Sequence, residues 1–257
     1  TGFYSMVYGA TGLERAENSV LSGSGPQFIV DRLGQLFGGR EVQGGVVALT
    51  INPAAQQAAF DGLAGKVGSV TAIDPRTGAI LALVQSPSFD PNRLSSHDPT
   101  EISAYYTELE NDPEQPLLNR PLVSLQPPGS TFKLVTSAAA LAAGYEPSTE
   151  LPGPAEYPLP GSSSSIPNAW GGACGADNTV TLERSLAISC NTSFAYLGNQ
   201  LGNDALNAQA EKFGFNSSFD IPLTAATSRY PTGLDKAQTA QSAIGQYLGG
   251  LRTRCNV

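Results

Sequence analysis

Pro127-Pro128-Gly129-Ser130-Thr131-Phe132-Lys133-Leu134 is the stretch on which the fold and the chemistry of this chain turn. Pro-Pro-Gly ends irregular structure, and Ser130 to Ala143 is predicted as an Ala-rich helix stopped by Gly144. Lys133 is the one charged residue on that helix, so burial is expected for it. Ser130 and Lys133, at i and i+3, share a face. A helix start offers unpaired N–H groups and the positive end of a dipole, which favour a developing oxyanion and a neutral neighbouring lysine. A lysine whose pKa falls through desolvation can act as base toward a serine. Taken alone, Ser-x-x-Lys is read equally well as a capping serine with a surface lysine. An unpaired buried lysine is costly, however, and that weighs toward chemistry.

Working outward, residues 1 to about 40 are Gly-rich, with a helix-like run over Pro26–Phe37, and are expected to be the tail end of another module. Gly45–Ile51 is predicted as a strand. Asn52-Pro53 then starts a helix, with Asn as cap and Pro at the first helical position. Val67–Ile73 and Ala79–Gln85 are predicted as a hairpin joined by Asp74-Pro75-Arg76-Thr77-Gly78. The second of these strands is apolar on both faces and is expected to be covered on both sides. Ser86 to Arg120 is expected as a polar loop, and Glu146 to Asn178 as a long Pro/Gly/Ser loop. Thr181 is set to cap a helix over Leu182–Ile188, a second helix is predicted over Thr192–Leu201, Asp204 is expected to cap Ala205–Phe213, and a last helix covers Asp235–Ala243.

Ser189-Cys190-Asn191 falls at the junction of two of those helices. A hydroxyl and an amide projecting from one turn can relay a proton and orient an amide substrate. The plain alternative is a helix stop followed by a cap. A Ser-x-x-Lys followed by a Ser-x-Asn is the order used by penicillin-binding serine enzymes. More of the chain points the same way: the hairpin Ala72–Val84 with Ser86-Pro87-Ser88-Phe89-Asp90-Pro91-Asn92, Asn119-Arg120-Pro121 ahead of the serine, Ser242-Ala243-Ile244-Gly245-Gln246, and Gly12-Leu13-Glu14-Arg15 near the start. Over about residues 1–246 the sequence resembles class B penicillin-binding proteins of the actinobacterial type.

The resemblance implies an α+β fold, an antiparallel sheet flanked by helices. It implies a remnant of a non-catalytic module over 1–40, a partial transpeptidase domain over 41–246 and an atypical tail over 247–257. Ser130 would attack the D-Ala-D-Ala carbonyl of a peptidoglycan stem peptide, Lys133 would take its proton, and Ser189 and Asn191 would handle proton transfer and substrate placement. A second stem peptide would resolve the acyl-enzyme, and a β-lactam would acylate the same serine as a covalent inhibitor. Other cell-division or elongation proteins are implied as partners. The implied location is the extracytoplasmic face of the cell membrane, with an anchoring segment outside this chain. There Cys174 and Cys190 are one possible disulfide pair.

The family's third box, Lys-Thr/Ser-Gly, is absent downstream of Gln246, and the tail reads as the product of a truncation or a shifted frame. On that ground the chain as written is expected to be unstable and nearly inactive, since loss of one oxyanion-hole donor costs about 10²–10³ in rate and a lost strand leaves an open sheet edge. The rival readings are a β-lactam-binding sensor or inactive homologue, and a serine β-lactamase or DD-carboxypeptidase. Cys190, at the position where class A β-lactamases carry Asp, argues against the β-lactamase.

Composition sets the outer bounds. The 257 residues are 40% apolar and 14% charged, with 28 Gly and 19 Pro, which suits a large core with long ordered loops. A net charge of −8 with no Lys/Arg cluster excludes a nucleic-acid binder. Cys174, Cys190, Cys255 and the single His97 lack the paired spacing of a structural zinc site, there is no Cys-x-x-Cys, and no cofactor is called for. His97, between Ser96 and Asp98, is read as a loop residue because adjacent residues cannot form a relay. Trp170 and Tyr157 can flank a cleft or simply pack in their loop.

Overall fold

Asn52 caps a helix as its letter suggests: its side chain accepts from the Ala55 N–H, and Pro53 occupies the first helical position. In the computed structural model, which describes residues 3–30, 33, 44–219 and 221–247, the chain divides into two units. The first holds residues up to Ser124 together with a short return segment through Ala225; the second begins at Leu125.

The first unit opens with a short hairpin, β1 (Tyr4–Ser5) and β2 (Gly9–Ala10), and two short helices, α1 (Gly12–Ala16) and α2 (Asn18–Leu21). A 3-10 turn over Pro26–Phe28 begins the expected helical run, whose end at Leu36 and Phe37 lies outside the described residues. After α3 (Pro53–Gly62) come β3 (Gly68–Ile73) and β4 (Ile80–Ser86), paired antiparallel with Val70 opposite Val84.

The strand expected over Gly45–Ile51 does not form. The edge of β4 that it would join is bonded in another way. The Thr50 hydroxyl donates to Ile80 O, the Asn52 N–H to Leu81 O, and the Gln56 amide both donates to and accepts from the Leu83 backbone. A side chain thus completes the ladder that a strand would otherwise complete. β4 buries Ala82, Val84 and Gln85, whereas β3 is half-buried from Gly68 to Ala72, so the hairpin is covered less evenly than its apolar sequence suggests.

The expected loop from Ser86 to Arg120 contains α4 (Pro91–Leu94) and α5 (Pro99–Asn111). Asp90 and Asp98 cap them, each followed by Pro. Ile102, Tyr105 and Leu109 recur at helical spacing and bury against Phe3 and Leu94. A short α6 (Arg120–Val123) closes the unit.

In the second unit a 3-10 turn, Gly129–Phe132, runs into α7 (Lys133–Ala142). This helix buries Lys133, Val135, Thr136, Ala139 and Ala140, but Leu134 and Leu141 are half exposed, so the expected full burial holds for one face only. The long loop is organised by two small ribbons. β5 (Glu150–Pro152) pairs with β8 (Thr179–Thr181), and β6 (Glu156–Pro158) pairs with β7 (Ser165–Pro167).

Thr181 caps α8 (Leu182–Ala187), accepting from the Arg184 N–H. α9 (Asn191–Leu201) and α10 (Asn203–Lys212) follow. Gly202, not Asp204, stands at the cap of α10, and Asp204 falls in its first turn, where a carboxylate still complements the dipole. A reciprocal pairing of Asp235 with Gln238 caps α11 (Lys236–Ala243).

The core of this unit gathers Phe194, Leu197, Leu182, Leu151 and Ile244. Phe132, Leu206, Phe215 and Tyr230 form a second cluster around the 3-10 turn that carries Ser130. Full burial of each large apolar side chain contributes about 1.5–3 kcal/mol. α9 and α11 cross so tightly at Gly198 that a Cβ there would stand 2.3 Å from that of Ala243.

Candidate active site

The 3-10 turn leaves Ser130 exposed at the surface while Phe132, two residues on, is completely buried. Phe132 stacks on Tyr230 at 5.5 Å and meets Phe215 edge-on at 5.6 Å, which anchors the turn from below. The turn is also tied to the segment after α11. The Gly129 N–H donates to Gly245 O at 2.9 Å, and the Thr136 hydroxyl donates to Ala243 O at 2.8 Å. Gly129 has φ +58 and Gly245 φ +75, and a Cβ on Gly245 would fall 1.9 Å from Gly129 O. Glycine at 245 is required for the backbones to meet this closely, and glycine at 129 is favoured by its positive φ.

Lys133 is 0% exposed. Its Nζ lies 3.3 Å from Ser130 Oγ, 2.8 Å from Ser189 O, 2.9 Å from Ser189 Oγ and 2.7 Å from Asn191 Oδ1. The four residues singled out in the sequence therefore meet at one nitrogen. Burial pulls the Lys133 pKa down from 10.5 to about 8. The neutral amine, present in about one molecule in ten at pH 7, has a lone pair to accept the Ser130 proton and two N–H groups to donate to the opposite turn.

That opposite turn is shaped for the purpose. Ser189 has φ +58, a conformation uncommon outside glycine, and in it both the carbonyl and the hydroxyl face Lys133. The Asn191 amide donates from Nδ2 to Pro167 O at 3.0 Å, which turns its Oδ1 to the lysine. Cys190, between them, is fully buried and disulfide-bonded to Cys174. Chemically, the set can form an acyl-serine: a nucleophile, a base with a lowered pKa, and a hydroxyl placed to pass the proton on.

Of the other residues considered, Tyr157 accepts from Asn199 Nδ2 and packs against the core, the packing alternative of its two readings. Trp170 is half exposed and donates to Ala173 O. His97 is exposed between α4 and α5. Among the described residues no three His, Cys, Asp or Glu side chains gather as a metal site requires. Sequence reasoning missed Asn168 and the Gly129–Gly245 contact. Asn168 is buried and bonded to the start of α9, and neither feature has a local sequence signature.

A serine and a lysine one turn apart, facing a Ser-x-Asn turn, have the arrangement that lysine-assisted serine acyl transfer requires. Residues 68–251 match the penicillin binding protein transpeptidase domain, and residues 1–47 match the penicillin binding protein A dimerisation domain. The chain is 45% identical over 252 residues to the peptidoglycan D,D-transpeptidase PbpA of Mycolicibacterium smegmatis, covering 96% of this chain and 51% of that protein. It is 44% identical to the PbpA of Mycobacterium tuberculosis over the same shares. The fold superposes with a TM-score of 0.94 and 43% identity on penicillin-binding protein A from M. tuberculosis, solved as an imipenem acyl-enzyme complex, covering all of this chain and 60% of that one. A D,D-transpeptidase domain from Eggerthella lenta superposes with a TM-score of 0.77 at 31% identity, over 95% of this chain and 52% of that one. The chain belongs to the penicillin-binding protein transpeptidase family, in its class B, PbpA-like branch. It spans about half the length of the curated relatives it matches.

Proposed function

We propose that this chain carries the acylating site of a peptidoglycan D,D-transpeptidase working through a serine acyl-enzyme in wall synthesis. Lys133 Nζ takes the Ser130 proton as Oγ bonds to the penultimate D-Ala carbonyl of a stem peptide. The terminal D-Ala leaves as its amine, receiving a proton from Lys133 by way of the Ser189 hydroxyl. The amine of a second stem peptide then attacks the ester, forms the cross-linking amide and returns Ser130 to its hydroxyl form. The Asn191 amide supports the substrate's peptide bond. A β-lactam follows the first half of this path: its ring amide opens onto Ser130 Oγ and its nitrogen takes the proton.

The observation that carries the proposal is the convergence of Ser130 Oγ, Ser189 Oγ and Asn191 Oδ1 within 3.3 Å of the buried Lys133 Nζ. The relatives' names and the β-lactam adducts of the M. tuberculosis protein support it.

The proposed setting is the extracytoplasmic face of a bacterial membrane. The Cys174–Cys190 bond supports an oxidising compartment. No helix among the described residues is long and apolar enough to cross a bilayer. A separate module over 1–40, a domain over 41–246, a distinct tail over 247–257 and contacts with division or elongation proteins belong to the same proposal.

The test is incubation with a fluorescent penicillin followed by intact mass and peptide mapping. A long-lived adduct on Ser130 is expected, because the four site side chains are assembled around Lys133 Nζ in this chain, and that result would overturn the sequence expectation of near-inactivity. Rapid hydrolysis of the penicillin would assign the chain to the β-lactamases instead. No adduct at all would remove the acyl-transfer reading.

A further inference from the structure

Asn168 is 3% exposed, an amide sealed between the long loop and the start of α9. Its Oδ1 accepts from the Asn191 N–H at 2.9 Å and the Thr192 N–H at 3.2 Å. Its Nδ2 donates to Pro154 O at 3.0 Å and Gly172 O at 2.9 Å. With N–H groups on one side and carbonyls on the other, only this orientation of the amide satisfies all four partners. Two of those partners are helix-start N–H groups, which have no acceptor inside the helix.

The residue before it adds a second constraint, because Pro167 O accepts from Asn191 Nδ2. The dipeptide Pro167-Asn168 therefore grips Asn191 by its backbone and by its side chain, and leaves Oδ1 only the direction of Lys133 Nζ. The disulfide pins the middle residue of the turn from another point of the same loop.

We infer that Asn168 is a positioning residue for the acyl-transfer site, clamping the Ser189–Asn191 turn so that its three oxygens hold Lys133 Nζ in line with Ser130. The inference rests on the proposed acyl-transfer function and adds a residue that acts only through the turn. A buried amide that joins two loop carbonyls to two helix-start N–H groups transmits any shift of the 154–172 loop to the lysine's hydrogen-bond partners.

The experiment uses two variants. Asn168→Leu removes every hydrogen bond at similar volume. Asn168→Asp keeps acceptor oxygens for the Asn191 and Thr192 N–H groups while losing the donors to the loop. Three readouts are taken: amide hydrogen exchange at Asn191 and Thr192, the rate of acylation by penicillin, and the melting temperature.

Both variants are expected to melt lower. The Leu variant is expected to exchange those two amides at least about tenfold faster and to acylate about 10–100-fold more slowly. The Asp variant is expected to keep both amides protected and to recover most of the acylation rate. In an Asn191→Ala background the Leu substitution is expected to cost less acylation than in the parent. If the Leu variant does not fold, Asn168→Ser, too short to reach the two N–H groups, takes its place.

Acylation at the parent rate in the Leu variant overturns the inference. So does a loss in the Leu and Asp variants that follows only their shared loss of stability. A parent protein that penicillin does not acylate overturns the acyl-transfer reading instead. Exchange at Asn191 and Thr192 then decides by itself whether Asn168 holds the turn.

Discussion

The two turns that meet at Lys133 are held in opposite ways. The Ser130 turn is held by backbone. Gly129 and Gly245 touch through their peptide groups, and Phe132 plugs the core directly beneath. The Ser189–Asn191 turn keeps backbone bonds to the helix before it, and is held besides by groups from elsewhere: a disulfide from Cys174, an amide from Asn168, the Pro167 carbonyl, and the ammonium or amine of Lys133 itself. The first turn depends on a close backbone approach that only glycine at 245 allows, the second on several distant tethers that agree. On the proposed mechanism, this arrangement would keep the Ser130 hydroxyl fixed while the opposite turn adjusts without moving it.

Four variants test this comparison. The largest effect is expected for Ser130→Ala. It removes the penicillin adduct entirely by intact mass, while an exposed serine leaves stability within about 0.5 kcal/mol. Lys133→Ala is expected to slow acylation by about 10²–10⁴, read as the second-order rate with the parent's fold retained by circular dichroism.

Loss of the disulfide through Cys174→Ala with Cys190→Ala is expected to cost about 3 kcal/mol for a loop of this length, the bridged residues being 16 apart. Urea unfolding with and without a dithiol reductant checks it, and the parent under reduction should converge on the double variant. Gly245→Ala forces a Cβ against Gly129 O and is expected to cost about 1–3 kcal/mol, with an acylation defect that reduction does not change. If reduction and Gly245→Ala instead produced interchangeable losses, the distinction between the two turns would collapse.

The same distinction explains what could be read in the letters. Ser130, Lys133, Ser189 and Asn191 were legible because each pair lies within a few residues and carries local helix-start chemistry. The capped helices at Asn52, Thr181 and Asp235 were legible for the same reason. α5 was written in the same code, Asp98-Pro99 followed by Ile102, Tyr105 and Leu109, yet the polar residues around it masked the period.

The strand expected at Gly45–Ile51 failed because a tertiary contact overrode pattern: Gln56 satisfies the β4 edge with its own amide. Asp204 failed as a cap because Gly202, with a positive φ of +83, lets the helix begin at Asn203, two residues before the expected start at Ala205. Asn168 and the Gly129–Gly245 contact had no local signal. Their partners lie far along the chain, and a buried amide looks in sequence like any loop asparagine.

The central claim is that Lys133 acts as a neutral base on Ser130, and the pH dependence of β-lactam acylation tests it most directly. Burial lowers this lysine's pKa to about 8, so the basic form is scarce below that pH and dominant above it. The second-order acylation rate measured from pH 6 to 10 is expected to climb about tenfold per pH unit and to level off near 8. A rate that is flat from pH 6 to 8, or one still climbing past pH 10, would contradict the assignment.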